Sequence, residues 1–198
     1  MIKTVIFDIG NVLTHFNWQD YIKSLGFSKE VCKRVGLATV ESRYWAEFDR
    51  GVMDEKELVD GFVSMDPELE DEIRLTVKNV SGMLLKADYA IPWIEELKGR
   101  GYKVLYLSNF SDKSFRECQA ALDFLPHMDG GIFSYRVKLI KPDQAIYRKI
   151  LSEYDLIPGE TVFIDDTMPN VETARSLGMN AIHFKSYKQA KRDLERML

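Results

Sequence analysis

TVFIDDTMPNVETARSLGM, residues Thr161–Met179, carries the clearest structural pattern in the chain. Four β-branched or aromatic residues, Thr161–Ile164, run into two consecutive aspartates, Asp165 and Asp166. Val171, Ala174 and Leu177 then recur at i, i+3 and i+6, and Gly178 closes the run. That order reads as a buried strand, an acidic turn and an amphipathic helix. The same order appears upstream. TVIF at Thr4–Phe7 ends on Asp8, and KVLYL at Lys103–Leu107 ends on Ser108 and Asn109. Asn180–Phe184 reads as a fourth strand and Gly131–Tyr135 as a fifth. Between them lie helical spacings: Ile91, Ile94 and Leu97 stopped by Gly99 and Gly101, then Ile146 with Ile150 and Tyr147 with Leu151. Strands alternating with helices predict an α/β class, a doubly wound, Rossmann-like parallel sheet covered on both faces.

Residues 15–87 break the pattern and hold no convincing strand. Asp54 with Glu57 has the spacing of a capping box, and Asp66-Pro67-Glu68 reads as a second helix start. Trp45, Phe48, Leu58, Phe62 and Met65 supply the apolar faces. The expected organisation is a core domain of residues 1–14 and 88–198, with a helical cap of residues 15–87 inserted after strand 1. Ligands of open α/β sheets bind beyond the C-terminal strand ends, so an insertion there would lie over the site as a lid.

Composition narrows the function classes. With 198 residues, length suggests about one domain plus an insertion. Lys+Arg 27 against Asp+Glu 31 gives a net charge of −4, which offers no electrostatic reason to bind nucleic acid or an anionic membrane. Cys32 and Cys118 stand apart from each other and from the histidines, so no zinc-ligand spacing exists and nothing suggests an oxidising compartment. Asp8 interrupts the N-terminus too early for a signal peptide, and no run of about 18 apolar residues exists. The expectation is a soluble cytoplasmic protein.

Taken singly, the residues after each strand have an ordinary explanation, because polar residues there form turns and helix caps. Together, Asp8, Ser108, Asp165 and Asp166 would converge on one edge of one sheet. Clustered carboxylates raise each other's pKa unless a cation holds them, and a few hard oxygens suit Mg²⁺. Phosphoryl transfer needs this set. Asp8 can attack phosphorus and form an aspartyl-phosphate, with Asp165 and Asp166 as metal ligands that neutralise charge. Ser108 and Asn109 can hold phosphate oxygens through a hydroxyl and backbone N–H groups. Lys141, just before the helix Asp143–Glu153, is the cation that could pair with the nucleophile and the transferring group, although a lone Lys-Pro is ordinarily a solvated loop.

FDIGNVL (Phe7–Leu13), LSN (Leu107–Asn109), KPDQAIY (Lys141–Tyr147) and FIDDTMPNVETARSLGM (Phe163–Met179) resemble the four motifs of the haloacid dehalogenase-like superfamily. They fall in that family's order and spacing, with a helical cap between the first and second. The first motif, Asp-x-Gly-Asn-Val, is similar to that of capped phosphatases such as sugar-1-phosphate phosphatases and the N-terminal domains of epoxide hydrolases. The resemblance implies that Asp8 is nucleophile and metal ligand and that Ser108 binds phosphate. It further implies that Lys141 anchors, that Asp166 with Asp165 holds Mg²⁺, and that the backbone carbonyl of Gly10 is a further ligand. A sugar phosphate is the substrate it suggests.

One departure matters. Phosphatases of this superfamily usually carry a second aspartate two residues after the nucleophile, as acid for the leaving group and base for water. Here that position is Gly10. Losing such a group costs ~10²–10⁴ in rate. The enzyme would be slow, or favour substrates that leave without proton help, or use a water or a cap residue instead. Leaving-group acidity is then expected to govern the rate. Two rival readings remain. A metal-free haloacid dehalogenase also dispenses with the second aspartate, though it has no use for Asp165 and Asp166. A catalytically impaired binding module would explain Gly10 but not the retained Asp8, Ser108, Lys141 and Asp166. In the cap, Arg43, Tyr44, Trp45 and Arg50 could face a substrate, although apolar packing and surface charge explain them as well.

Overall fold

The computed structural model describes residues 1–198. Five parallel strands form the central sheet: β1 (Thr4–Phe7), β4 (Lys103–Ser108), β5 (Gly130–Phe133), β6 (Thr161–Asp165) and β7 (Asn180–His183), in the order β5-β4-β1-β6-β7. The strands read as continuous apolar runs because both faces are buried. Val5, Phe7, Val104, Tyr106, Val162 and Ile164 point to one side, while Ile6, Leu105, Leu107 and Phe163 point to the other. The first face packs on α6 (Ala90–Gly99), through Trp93, Ile94 and Leu97, and on α11 (Tyr187–Glu195), through Ala190 and Leu194. The second packs on α9 (Gln144–Glu153), through Ile146, Tyr147 and Ile150, and on α10 (Met168–Ser176), through Val171 and Ala174. This is the doubly wound α/β sheet. The expected fifth strand forms, starting one residue earlier at Gly130, at the β4 edge of the sheet.

The inserted segment holds α1 (Trp18–Ser24), α2 (Lys29–Ala38), α3 (Arg43–Arg50), α4 (Glu55–Met65) and α5 (Glu70–Lys78). They close on their own core of Ile22, Val35, Ala38, Leu58, Phe62, Leu69, Ile73 and Val77. The Asp54/Glu57 capping box starts α4, and Asp66-Pro67 starts a short 3₁₀ turn that leads into α5. Met65, expected on the apolar face, is 47% exposed because it closes the last turn of α4 beyond the reach of that core.

A larger correction concerns strands in this segment. Thr14–Phe16 (β2) and Leu84–Lys86 (β3) pair antiparallel, with His15 opposite Leu85. The chain thus enters and leaves the cap side by side through a two-stranded neck. Three-residue strands drawn from distant parts of the chain carry no readable alternation, so only their pairing reveals them. α7 (Asp112–Glu117) follows β4, and α8 (Ser134–Val137) follows β5. α8 is the core helix that touches α3 of the cap.

Candidate active site

Strand register builds the site. Phe7 lies opposite Tyr106 and Ile164, so the residues that follow leave the sheet at one rim. The Asp8 N–H still donates to the Ile164 carbonyl at 2.8 Å, which carries the ladder one residue past β1. Alternation along the strands then puts Asp8 and Asp165 on the face shared with Ile6 and Phe163. The chain entering α9 approaches from that face, and it brings Lys141.

Lys141 Nζ sits 2.8 Å from Asp8 Oδ1 and 2.6 Å from Asp165 Oδ2. All three are buried: Lys141 is 4% exposed, Asp8 8% and Asp165 0%. A buried ammonium would normally lose its proton, but the Asp165 and Asp8 carboxylates hold its pKa above the usual value. Burial, together with the charges of Asp165 and Asp166, pushes Asp8 up to about 7 against the pull of Lys141. Asp8 Oδ1 also accepts the Ile9 N–H at 2.7 Å, which fixes the rotamer of the carboxylate.

Asp165 is saturated. Oδ1 accepts the Thr167 N–H at 2.8 Å and Asn170 Nδ2 at 3.0 Å, and Oδ2 takes Asn170 Nδ2 at 3.1 Å besides Lys141. Asp166 is half-buried and more open, bonded to Asn11 Nδ2 at 3.1 Å and Thr167 Oγ1 at 3.3 Å. Carboxylate oxygens of Asp8, Asp165 and Asp166 lie within 4.8 Å of one another. Three acids against one ammonium leave an excess of negative charge on hard oxygen donors, which fits a divalent cation. Asp8 and Asp166 have coordination capacity to spare; Asp165 spends its own on Lys141 and Asn170.

The Asn109 side chain is committed to Lys141. Its Oδ1 accepts the Lys141 N–H at 2.8 Å and its Nδ2 donates to the Lys141 carbonyl at 3.0 Å. Both ends of the amide are spent on fixing the Lys141 backbone, so only the Asn109 main chain remains for a phosphate. The Ser108 hydroxyl has a single contact, the Asn109 carbonyl at 3.5 Å, at the limit of a hydrogen bond. Gly10 borders the site, and a Cβ built there would meet nothing within 4 Å.

A cavity of about 270 Å³ opens above this rim, between core and cap. Asp8, Gly10, Asn11, Asn109 and Asp166 form its floor, while Ser108, Lys141 and Asp165 lie behind that surface. Phe16, Val40, Trp45, Val80, Met83, Leu84, Phe110 and Cys118 form apolar walls. Of the cap residues weighed from sequence, Trp45 lines the cavity while packing on Phe48 and Phe62. Arg43 instead lies over the Tyr44 ring, its guanidinium 3.1 Å from the Tyr44 hydroxyl, and Arg50 sits 3.5 Å from Glu47. No basic side chain lines the cavity.

Sequence reading missed Asn11, Asn170 and Asp49. Asn11 adopts a left-handed φ of 56° and bridges Asp166 to the Phe16 N–H at the neck. Asn170 falls on the first turn of α10, five residues after Asp165, a spacing that returns a side chain to the strand end. Asp49 follows Trp45 at i+4, so one helix face carries both into the cavity.

A profile of haloacid dehalogenase-like hydrolases matches residues 2–178. The chain belongs to that family. Among curated relatives, a sesquiterpene phosphatase of Aspergillus oryzae is 28% identical over 183 residues, covering 91% of this chain and 89% of its own. A phosphatase of Mycobacterium tuberculosis is 30% identical over 200 residues, covering 91% and 86%. Among solved structures, a family enzyme of Bacteroides thetaiotaomicron in complex with magnesium and inorganic phosphate superposes with a TM-score of 0.72. It is 22% identical, and the match covers 94% of this chain and 96% of that one. The hydrolase sheet of the family is therefore the sheet described above. No helix is long and apolar enough to cross a membrane.

Proposed function

We propose that this haloacid dehalogenase-like hydrolase is a Mg²⁺-dependent phosphatase of small phosphate monoesters, acting through an aspartyl-phosphate on Asp8. The observation that carries the reading is the close grouping of the Asp8, Asp165 and Asp166 oxygens, with Asp8 and Asp166 on the floor of a capped cavity and Asp165 just behind it. Asp8 and Asp166, with the Gly10 carbonyl, would hold Mg²⁺, and Asp165 would orient Lys141 toward Asp8. Bound there, Mg²⁺ supplies the positive charge that lets an anionic nucleophile meet a phosphate dianion. Lys141 holds Asp8 in place and balances part of its charge. Ser108 and the backbone of Asn109 are positioned to receive phosphate oxygens as they pass the cavity floor. The cap limits access to small molecules.

Metal removal tests this directly. Treatment with EDTA is expected to abolish phosphate release, and Mg²⁺ to restore it. Halide release from a 2-haloacid that survives EDTA would support the dehalogenase reading instead.

The walls bear on the organic part of the substrate. Hydroxyls buried without partners cost about 1–3 kcal/mol each, so apolar walls favour a hydrocarbon over a sugar. A relative named as a sesquiterpene phosphatase supports the same preference. An isoprenoid or aryl phosphate is therefore favoured over the sugar phosphate that the first motif suggests. Each buried methylene contributes about 0.8 kcal/mol, roughly fourfold in binding. We expect kcat/KM for a short isoprenoid phosphate to exceed that for a hexose phosphate by about tenfold or more, and Trp45→Ala to erase most of the difference. Preference for the hexose phosphate would overturn this choice.

A further inference from the structure

Gly10 leaves the site without a carboxyl two residues after the nucleophile. The geometry points to Asp49 as the catalytic residue that protonates the leaving group and later deprotonates water, an inference that rests on the phosphatase reading above.

Asp49 belongs to α3 and lines the cavity whose floor holds Asp8. In-line displacement sends the leaving oxygen away from the attacking carboxylate, hence off the floor and toward the cap. The Asp49 carboxyl is half-buried there and takes part in no hydrogen bond or ion pair; only its backbone is engaged, the carbonyl accepting Ser134 Oγ at 2.5 Å. An unpaired ionised carboxyl facing an incoming phosphate would repel it, whereas a protonated one donates to an ester oxygen. Burial, and next the charge of Asp8, raise the Asp49 pKa to about 7 against the pull of Lys141, so both protonation states are accessible near neutrality. Among the other charged groups nearby, Asp166 bonds Asn11 and Thr167 and Lys138 bonds the Gly51 carbonyl, while Arg50 Nε lies 3.5 Å from Glu47 and makes no hydrogen bond.

The core holds this carboxyl in position. Ser134 of α8 binds the Asp49 carbonyl, and Lys138, one residue past α8, binds that of Gly51. Gly51 ends α3 at a left-handed φ of 67°, where a Cβ would press on the Tyr135 Cβ at 3.0 Å. The last turn of α3 is thus pinned to the core as well as packed on the cap through Phe48 and Phe62.

The step balances. An Asp8 oxygen bonds to phosphorus as the bond from phosphorus to the leaving oxygen breaks. The electron pair stays on that oxygen, which takes the Asp49 proton and leaves as an alcohol. Asp49, now a carboxylate, takes a proton from the water that attacks the same phosphorus. The Asp8–phosphorus bond then breaks, inorganic phosphate leaves and both side chains return to their starting states.

The test uses the full chain with Mg²⁺, on p-nitrophenyl phosphate and on a primary alkyl phosphate. In Asp49→Asn, kcat/KM for the alkyl ester is expected to fall about 10²–10³-fold and for the nitrophenyl ester less than about tenfold, since only the alkoxide needs the proton. Water activation is also lost, so the aspartyl-phosphate should accumulate with the nitrophenyl ester and appear by mass spectrometry after acid quench. Asp49→Glu should recover part of the alkyl activity. So should Gly10→Asp in the Asp49→Asn background, where a Cβ at position 10 meets nothing within 4 Å. Wild type would then depend on leaving-group acidity less steeply than Gly10 alone suggests. Equal losses on both esters, or none on the alkyl ester, would overturn the role of Asp49 while leaving the phosphatase reading intact. No Asp8-dependent release from either ester would overturn both.

Discussion

Asp8→Asn is expected to lower phosphate release by about 10⁴-fold or more, the scale seen when a covalent nucleophile is removed. An amide oxygen is a far poorer nucleophile than a carboxylate, and nothing else on the cavity floor can take its place. Asp166 is bonded to Asn11 and Thr167, and Asp165 is enclosed by Lys141, Asn170 and the Thr167 N–H. The substitution should not cost stability. Three carboxylates crowd one ammonium, so removing one negative charge relieves repulsion, and the Asn11–Asp166 and Asn109–Lys141 contacts remain. The expected result is an inactive protein with an unchanged or higher Tm, read by phosphate release and thermal denaturation together. Equal rates for wild type and variant would instead favour the binding-module reading.

Lys141→Met should give the largest loss of stability. Lys141 is the sole cation bonded to Asp8 and Asp165, and both acids are buried. Methionine keeps the length of the side chain and its contact with Phe163, whose ring lies 5.5 Å from Nζ. It leaves two buried carboxylates uncompensated, a situation that costs about 3–5 kcal/mol. For a chain of this size 1 kcal/mol shifts Tm by about 2–4 °C, so a drop of about 6–20 °C is expected in metal-free buffer. Activity should fall with it, because the nucleophile loses its anchor. An unchanged Tm would mean that the carboxyls are neutral in the folded protein and that Lys141 does not compensate them.

Much of this protein is legible along the chain because its strong signals are local. Val5–Phe7, Val104–Leu107 and Val162–Ile164 are apolar at every position, as expected of a strand covered on both faces. Asp54 and Glu57 announce a helix start because a capping box closes within four residues. Asp8, Ser108, Asp165 and Asp166 are suspects by position, since each directly follows a strand whose end must face the rim. The neck strands Thr14–Phe16 and Leu84–Lys86 are silent because each is defined by a partner far away in the chain.

The sheet, the inserted helices and the acids at the rim can be read along the chain, because alternation, helical period and capping are properties of neighbouring residues. How those acids divide their work emerges only on folding. Asp165 is spent on Lys141 and Asn170, Asn109 grips the Lys141 backbone, and Asp49 of the cap enters the cavity of Asp8. Such roles depend on which hydrogen-bond partners remain free after packing, and packing joins segments between which the linear order records no contact.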